Sequence, residues 1–151
     1  MKTRGRIVSA PTVLIIEDNP ITSKLVRITL ASAGYLVREA PSGRLAIQAV
    51  VSEVPDLILQ DLVLPDIDGV ELIERLRSLP GARNIPILAF SAFFSNLDEM
   101  RGVDAGFTDY VMKPIEPSRL IAKIRSYIAS PDASGVPAAP SAPSDTGGLE
   151  L

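Results

Sequence analysis

Leu57-Ile58-Leu59-Gln60-Asp61 is the stretch on which the fold turns. Apolar residues at successive positions predict a strand buried on both faces, and the carboxylate that follows is costly there unless it is paired or functional. The same pattern recurs twice. Val13-Leu14-Ile15-Ile16 runs into Glu17-Asp18, and Ile87-Leu88-Ala89-Phe90 runs into Ser91. These three strands belong at the centre of a sheet. The shorter or more polar segments 35–39 and 110–112 fit nearer its edges, the latter running into Lys113-Pro114.

Helical periodicity fills every gap, predicting helices over 21–33, 44–52, 70–78, 96–104 and 118–129. In the last of these, Leu120, Ile121, Ile124 and Ile128 recur at helical spacing while Arg119, Lys123 and Arg125 turn outward. Gly34 and Gly81 stand where helices should stop, and Ser42, Ser95 and Ser118 stand near helix starts. Strand alternating with helix through right-handed crossovers gives an α/β, doubly wound, open parallel sheet with helices on both faces. Such sheets bind ligands outside the carboxyl ends of their strands, at the point where strand order reverses.

With 46% of its 151 residues apolar and 22% charged, the chain suits one core, placed over residues 12–130. Residues 1–11 form an N-terminal extension. Residues 131–151, rich in Pro, Ala and Ser, read as a flexible tail or linker. The absence of Cys excludes disulfides, thiolate metal sites and cysteine nucleophiles. The absence of His removes imidazole metal ligands, the Ser-His-Asp triad and any phosphohistidine within this chain. A net charge of −3 with dispersed basic residues argues against direct nucleic-acid binding. No apolar run reaches the roughly 20 residues of a membrane span. A cytoplasmic location is the expectation.

Glu17, Asp18, Asp61, Ser91 and Lys113 all fall at carboxyl ends of predicted strands and so converge on one edge. Three carboxylates in a partly desolvated cleft repel by several kcal/mol at intermediate dielectric, so the cluster needs positive charge. Lys113 supplies one, and a cis bond to Pro114 would aim its ammonium into the cleft. A divalent cation is the natural second source, and an all-oxygen donor set selects Mg²⁺. Plainer roles compete. Asp18 or Asn19 before Pro20 could cap a helix, Ser91 could bond its own strand end, and Lys113 could pair with any surface carboxylate. Asp66, Asp68 and Gly69 lack the remaining spacing of a calcium loop and read as a turn before a helix. Phe90, Phe93, Phe94 and Tyr110 read as packing residues, and most of the arginines as solvated helix faces.

From about residue 12 to 129 the chain resembles the receiver domain of bacterial response regulators. The resemblance rests on Leu14-Ile15-Ile16-Glu17-Asp18-Asn19, on Asp61-Leu62-Val63-Leu64-Pro65-Asp66-Ile67-Asp68-Gly69, on Phe90-Ser91-Ala92 and on Lys113-Pro114. It implies a flavodoxin-like sheet of order 2-1-3-4-5. It also implies a switch in a two-component system, not a classical enzyme. In that family a sensor histidine kinase or phosphotransfer protein gives a phosphoryl group to the aspartate at the Asp61 position. By the same resemblance Asp18 and Asp61 would coordinate Mg²⁺, Glu17 would act mainly through metal-bound water, and the Val63 carbonyl would complete the protein ligands. Ser91 and Lys113 would hold phosphoryl oxygens, which fits a reaction that needs positioning and charge neutralisation above all. Ser91 and Tyr110 would be the switch pair, reshaping the face formed by the fourth helix, fifth strand and fifth helix. The readers of that face would be a downstream effector, an output domain outside this sequence, or a second copy in a phosphorylation-dependent homodimer.

This chain carries Glu17 where Asp is more frequent and Ser91 where Thr is more frequent, and Val63 brings no polar side chain. A flavodoxin-type cofactor protein would place a hydroxyl- and glycine-rich phosphate loop where Glu17-Asp18 stand. A haloacid-dehalogenase-type phosphatase would want a carboxylate at Val63. The remaining alternative is a receiver-like scaffold that binds partners without being phosphorylated.

Overall fold

The computed structural model describes residues 10–92 and 105–129. Its sheet contains β1 (Thr12–Ile16), β2 (Leu36–Ala40), β3 (Leu57–Asp61), β4 (Ile87–Ser91) and β5 (Asp109–Met112). All neighbouring pairs are parallel, in the order β2-β1-β3-β4-β5. The expected order is therefore found, with the three apolar runs at the centre. Because β2 and β3 lie on opposite sides of β1, strand order reverses there, and the carboxyl ends of β1 and β3 flank the reversal.

Alternation along the strands divides the core into two layers. Val13, Ile15, Leu57, Leu59, Leu88, Phe90 and Val111 face α1 (Pro20–Ser32) and α4 (Pro117–Arg125), meeting Val26, Leu30, Leu120 and Ile124. Leu14, Ile16, Ile58, Ile87 and Ala89 face α2 (Gly43–Ser52) and α3 (Gly69–Arg77), meeting Ala46, Val50, Leu72, Ile73 and Leu76. Each fully buried Leu or Ile contributes about 1.5–3 kcal/mol of transfer free energy, which explains why central strands without polar alternation are stable here. No helix of the described residues is long and apolar enough to cross a membrane.

Helix starts follow local chemistry. Asn19 caps α1 ahead of Pro20, Ser42 caps α2 through Leu45 N, and Asp68 caps α3 through Val70 N and Glu71 N. Ser118 does not cap. Glu116 occupies the N-cap of α4, Pro117 opens the helix, and the Ser118 hydroxyl donates to Glu116 Oε1. The helix also ends earlier than its apolar spacing predicts, at Arg125, where Ser126 closes it. The spacing persists because Ile128 still packs on the core, its carbonyl accepting from Tyr35 Oη at 3.1 Å. Gly34, at φ +97°, follows α1 as expected, whereas Gly81, at φ +84°, lies in the loop beyond the end of α3. The predicted helix 96–104, together with Phe93, Phe94 and Ser95, lies outside the described residues, as do residues 131–151.

Two arginines are not simply solvated. Arg38 donates to the carbonyls of Ala49 and Glu53 and so closes the C-terminus of α2. Arg77, at the end of α3, donates to the carbonyls of Ala82, Arg83, Ile85 and Gly106 and to Thr108 Oγ1. One guanidinium thereby joins α3 to the approaches of both β4 and β5. The planar fork of five N–H donors suits this, and a lysine ammonium could not span the same set. We expect Arg77→Met to lower stability by roughly 3 kcal/mol, since half-buried carbonyls lose their donors together. Urea unfolding would read this, and Arg77→Lys should recover only part of the loss.

Asp109 accepts from Tyr127 Oη, from Lys123 Nζ at 3.0 Å and from Tyr110 N at 2.7 Å, which ties β5 to α4 and the turn beyond it. Burial opposes ionisation of Asp109, but these donors outweigh it and hold its carboxyl below the usual range. Burial and the adjacent carboxylate push the Tyr127 phenol up to about 12 from an ordinary 10.0. The folded state therefore holds that proton more tightly. Its contribution to stability is complete below pH 10 and is lost as pH climbs from 10 toward about 12. A phenolate absorbance titration, with Tyr127→Phe to assign the signal, should show this ionisation falling back toward 10 in Asp109→Asn.

Candidate functional site

β1 delivers Glu17, whose backbone N–H still donates to Ala40 O of β2 at 3.1 Å, so the residue remains pinned as the strand ends. The residue is 3% exposed. Glu17 Oε2 accepts from Asn19 N at 3.0 Å, while Asn19 Oδ1 accepts from Ile21 N at 2.9 Å and Thr22 N at 3.2 Å. Asn19 thus performs the capping and steadies Glu17 as well. Asp18, between them, is left out of the cap and faces solvent.

Asp61 ends β3 and is 5% exposed. Its Oδ1 accepts from Val63 N at 3.0 Å and its Oδ2 from Lys113 Nζ at 3.2 Å. Lys113 follows β5 and donates its backbone N–H to Ser91 O at 2.8 Å, so the end of β4 positions it. The Lys113–Pro114 bond is cis, as the sequence led us to expect. The Lys113 ammonium lies 2.5 Å from Glu17 Oε1 and 4.9 Å from the centre of the Phe90 ring. It bridges two carboxylates over an aromatic face.

Carboxylate oxygens of Glu17, Asp18 and Asp61 lie within 4.8 Å of one another. Burial pushes the Glu17 carboxyl up, against the pull of Lys113 and the Asn19 amide, and the nearby Asp61 charge pushes the same way as burial. Burial alone would lower the Lys113 ammonium, but Glu17 and Asp61 outweigh it and raise it, so the amine stays charged. Among the described residues, three carboxyl groups thus share one ammonium. Glu17 Oε1 is paired with the Lys113 ammonium, which Asp61 Oδ2 shares at 3.2 Å. Carboxylate oxygens in excess over the nearby ammonium, in an oxygen-only donor set, fit a small hard dication.

The structure brings Glu17, Asp18, Asp61 and Lys113 together. Ser91 closes β4, buried, opposite Met112 in β5. Tyr110 pairs with Ala89, two residues deeper, and is partly buried with its ring 6.4 Å from that of Phe107. Ser91 and Ala89 share a sheet face, so Tyr110 and Ser91 are on the same side of the sheet. Val63 is 73% exposed; its amide holds Asp61 and its backbone pairs with Asp68 across the loop. Asp66 takes the N–H groups of Gly43 and Arg44 at 2.9 Å each, a structural use that joins this loop to the start of α2. Sequence reasoning did not single out the grip of Asn19 on Glu17, the ring of Phe90 under the ammonium, or Gln60. Only Gln60 carried a signal, as an amide inside an otherwise apolar strand.

The model of the family described as response regulator receiver domain matches residues 13–125. The polar-differentiation response regulator DivK of Brucella ovis is 37% identical over 116 residues, covering 77% of this chain and 94% of DivK. The DNA-binding dual master transcriptional regulator RpaA of Synechocystis is 38% identical over 122 residues; the match covers 81% of this chain and about half, 51%, of RpaA. Among solved structures, the receiver domain of sensor histidine kinase PA1611 of Pseudomonas aeruginosa, with a magnesium ion in its active-site cleft, is 30% identical. It superposes with a TM-score of 0.73 and covers 80% of this chain and 98% of that domain. Acidic residues at the ends of β1 and β3, a lysine after β5 and a sheet of order 2-1-3-4-5 agree with that match, and the chain belongs to the response regulator receiver domains of two-component signalling.

Proposed function

We propose that residues 12–130 form a phosphorylation switch in which Asp61 accepts a phosphoryl group from a phosphohistidine on a sensor kinase or phosphotransfer protein. The observation that carries this reading is the Asp61 carboxylate itself, held by Val63 N and Lys113 Nζ inside a cluster of acidic oxygens. These 151 residues contain no His, so the donor imidazole lies outside them. In the transfer, an Asp61 oxygen forms the new P–O bond while the P–N bond to the donor breaks, and the imidazole leaves with that electron pair and takes up a proton. Asp18, Asp61 and the Val63 carbonyl would hold Mg²⁺, with Glu17 acting mainly through water. When bound, that ion neutralises charge on the phosphoryl oxygens.

Lys113 supplies fixed positive charge for the same oxygens, and the Ser91 hydroxyl a further contact at the end of β4. Val63 N–H keeps the acceptor carboxylate oriented, an entropic advantage for a step that requires in-line geometry. Ser91 and Tyr110 then couple the acyl phosphate to the sheet face they share. The outcome is read by an effector protein, an output domain or a second copy, and residues 131–151 act as tail or linker.

Incubation with acetyl phosphate and Mg²⁺ followed by intact mass measurement is expected to show one phosphoryl adduct, absent from Asp61→Asn. A parent protein that takes no adduct would favour the non-phosphorylated scaffold. Lys113→Met should slow adduct formation roughly 100-fold, the scale of losing one donor to developing anionic oxygens. With a phosphoryl mimic bound, the NMR signals of Ser91 and Tyr110 should shift together; unmoved signals would separate them from the switch.

A further inference from the structure

Gln60 precedes Asp61 but points to the other face of the sheet, where its register partners are Ile16 and Ala89 of the second core layer. It is 0% exposed. Its Nε2 donates to Gly69 O at 2.8 Å, while its Oε1 has no hydrogen bond among the described residues. An amide buried with one end unmatched is a poor way to fill a core, since Leu or Met would pack there without stranding an oxygen.

What the amide does instead is hold the far end of a loop. Gly69 is the first residue of α3, and the chain passes so close there that a Cβ would meet Leu62 O at 2.7 Å and Leu62 Cα at 2.8 Å. Leu62 immediately follows Asp61. The residues between Leu62 and Gly69 therefore form a nearly closed ring, crossed by the Val63–Asp68 bridge and fastened beneath by Gln60. The part of that ring nearest the carboxylate is Val63, whose N–H lies 3.0 Å from Asp61 Oδ1.

We propose that Gln60 is a positioning residue for the acidic site: by gripping Gly69 O from below, it sets where the Val63 peptide lies against Asp61. It touches neither the carboxylate nor anything bound there, and acts through the loop. The consequence for magnesium rests on the reading of the site given above; the placement of the Val63 peptide does not.

The test compares Gln60→Met with Val50→Ala, a cavity variant in the same core layer that lies on α2 and outside the Leu62–Gly69 loop. Gln60→Met should remain folded, with a urea midpoint equal to or above that of the parent, because a buried oxygen with no hydrogen bond among the described residues is gone. Its Val63 amide proton should nevertheless move upfield and exchange faster. Its magnesium dissociation constant, followed by NMR or calorimetry, should rise about tenfold, the lower end of what outer contacts impose on metal sites. Val50→Ala should be less stable yet leave the Val63 amide and the magnesium constant unchanged. An unchanged Val63 amide in Gln60→Met, or the same changes in Val50→Ala, would overturn the proposal. If Gln60→Met does not fold, Gln60→Asn keeps an amide too short to reach Gly69 and is read in the same way. A parent that takes no phosphoryl adduct refutes the switch, while the Val63 amide still decides the role of Gln60.

Discussion

The Lys113 ammonium set between Glu17 and Asp61 is the contact on which the strand-end edge depends. Glu17 comes from β1, Asp61 from β3, and Lys113 from beyond β5, so one cation draws together groups that their own charges would drive apart. The carboxylates cannot simply retreat into solvent, because the backbone holds Glu17 against Ala40 and Asp61 within the β3 ladder. Coulomb repulsion at such range, in a partly desolvated cleft, far exceeds what screening removes at an exposed surface. The edge is thus built with negative charge in excess and with a defined place for positive charge to complete it.

Such an edge requires that the surrounding polar groups have other employment. Asn19 takes the helix-capping role and leaves Asp18 free of it; Asp68 caps α3; Asp66 binds the first amides of α2. Acidic and amide residues that look alike in the sequence therefore separate into those that satisfy helix termini and those that face the cleft. The division follows from elementary bookkeeping, because every helix start has unpaired N–H groups that must find an acceptor.

Rigidity is supplied from the periphery. Arg77 gathers carbonyls from the approaches to β4 and β5, the strands that bring Ser91 and Lys113 to the edge, and Asp109 fastens β5 to α4 through Lys123. The two apolar layers fix the height of each strand, and these polar ties fix where each strand begins.

Burial has a period, and local sequence carries it. The apolar runs at 13–16, 57–59 and 87–90 identified the central strands, and the polar residues directly after them marked the edge where chemistry gathers. The resemblance carried by the motifs at those ends extended this to the family. Hydrogen-bond partners have no period. That Arg77 would serve the carbonyls of Ala82, Ile85 and Gly106 and not solvent, that Gln60 would hold Gly69, and that Asn19 and not Asp18 would cap α1 depended on which backbone groups the folded chain leaves unpaired nearby. The sequence by itself thus determined the strands, their burial and the acidic edge. The partners of each polar group were decided only when distant segments came within hydrogen-bonding distance, because a donor's choice is set by geometry in space and not by position along the chain.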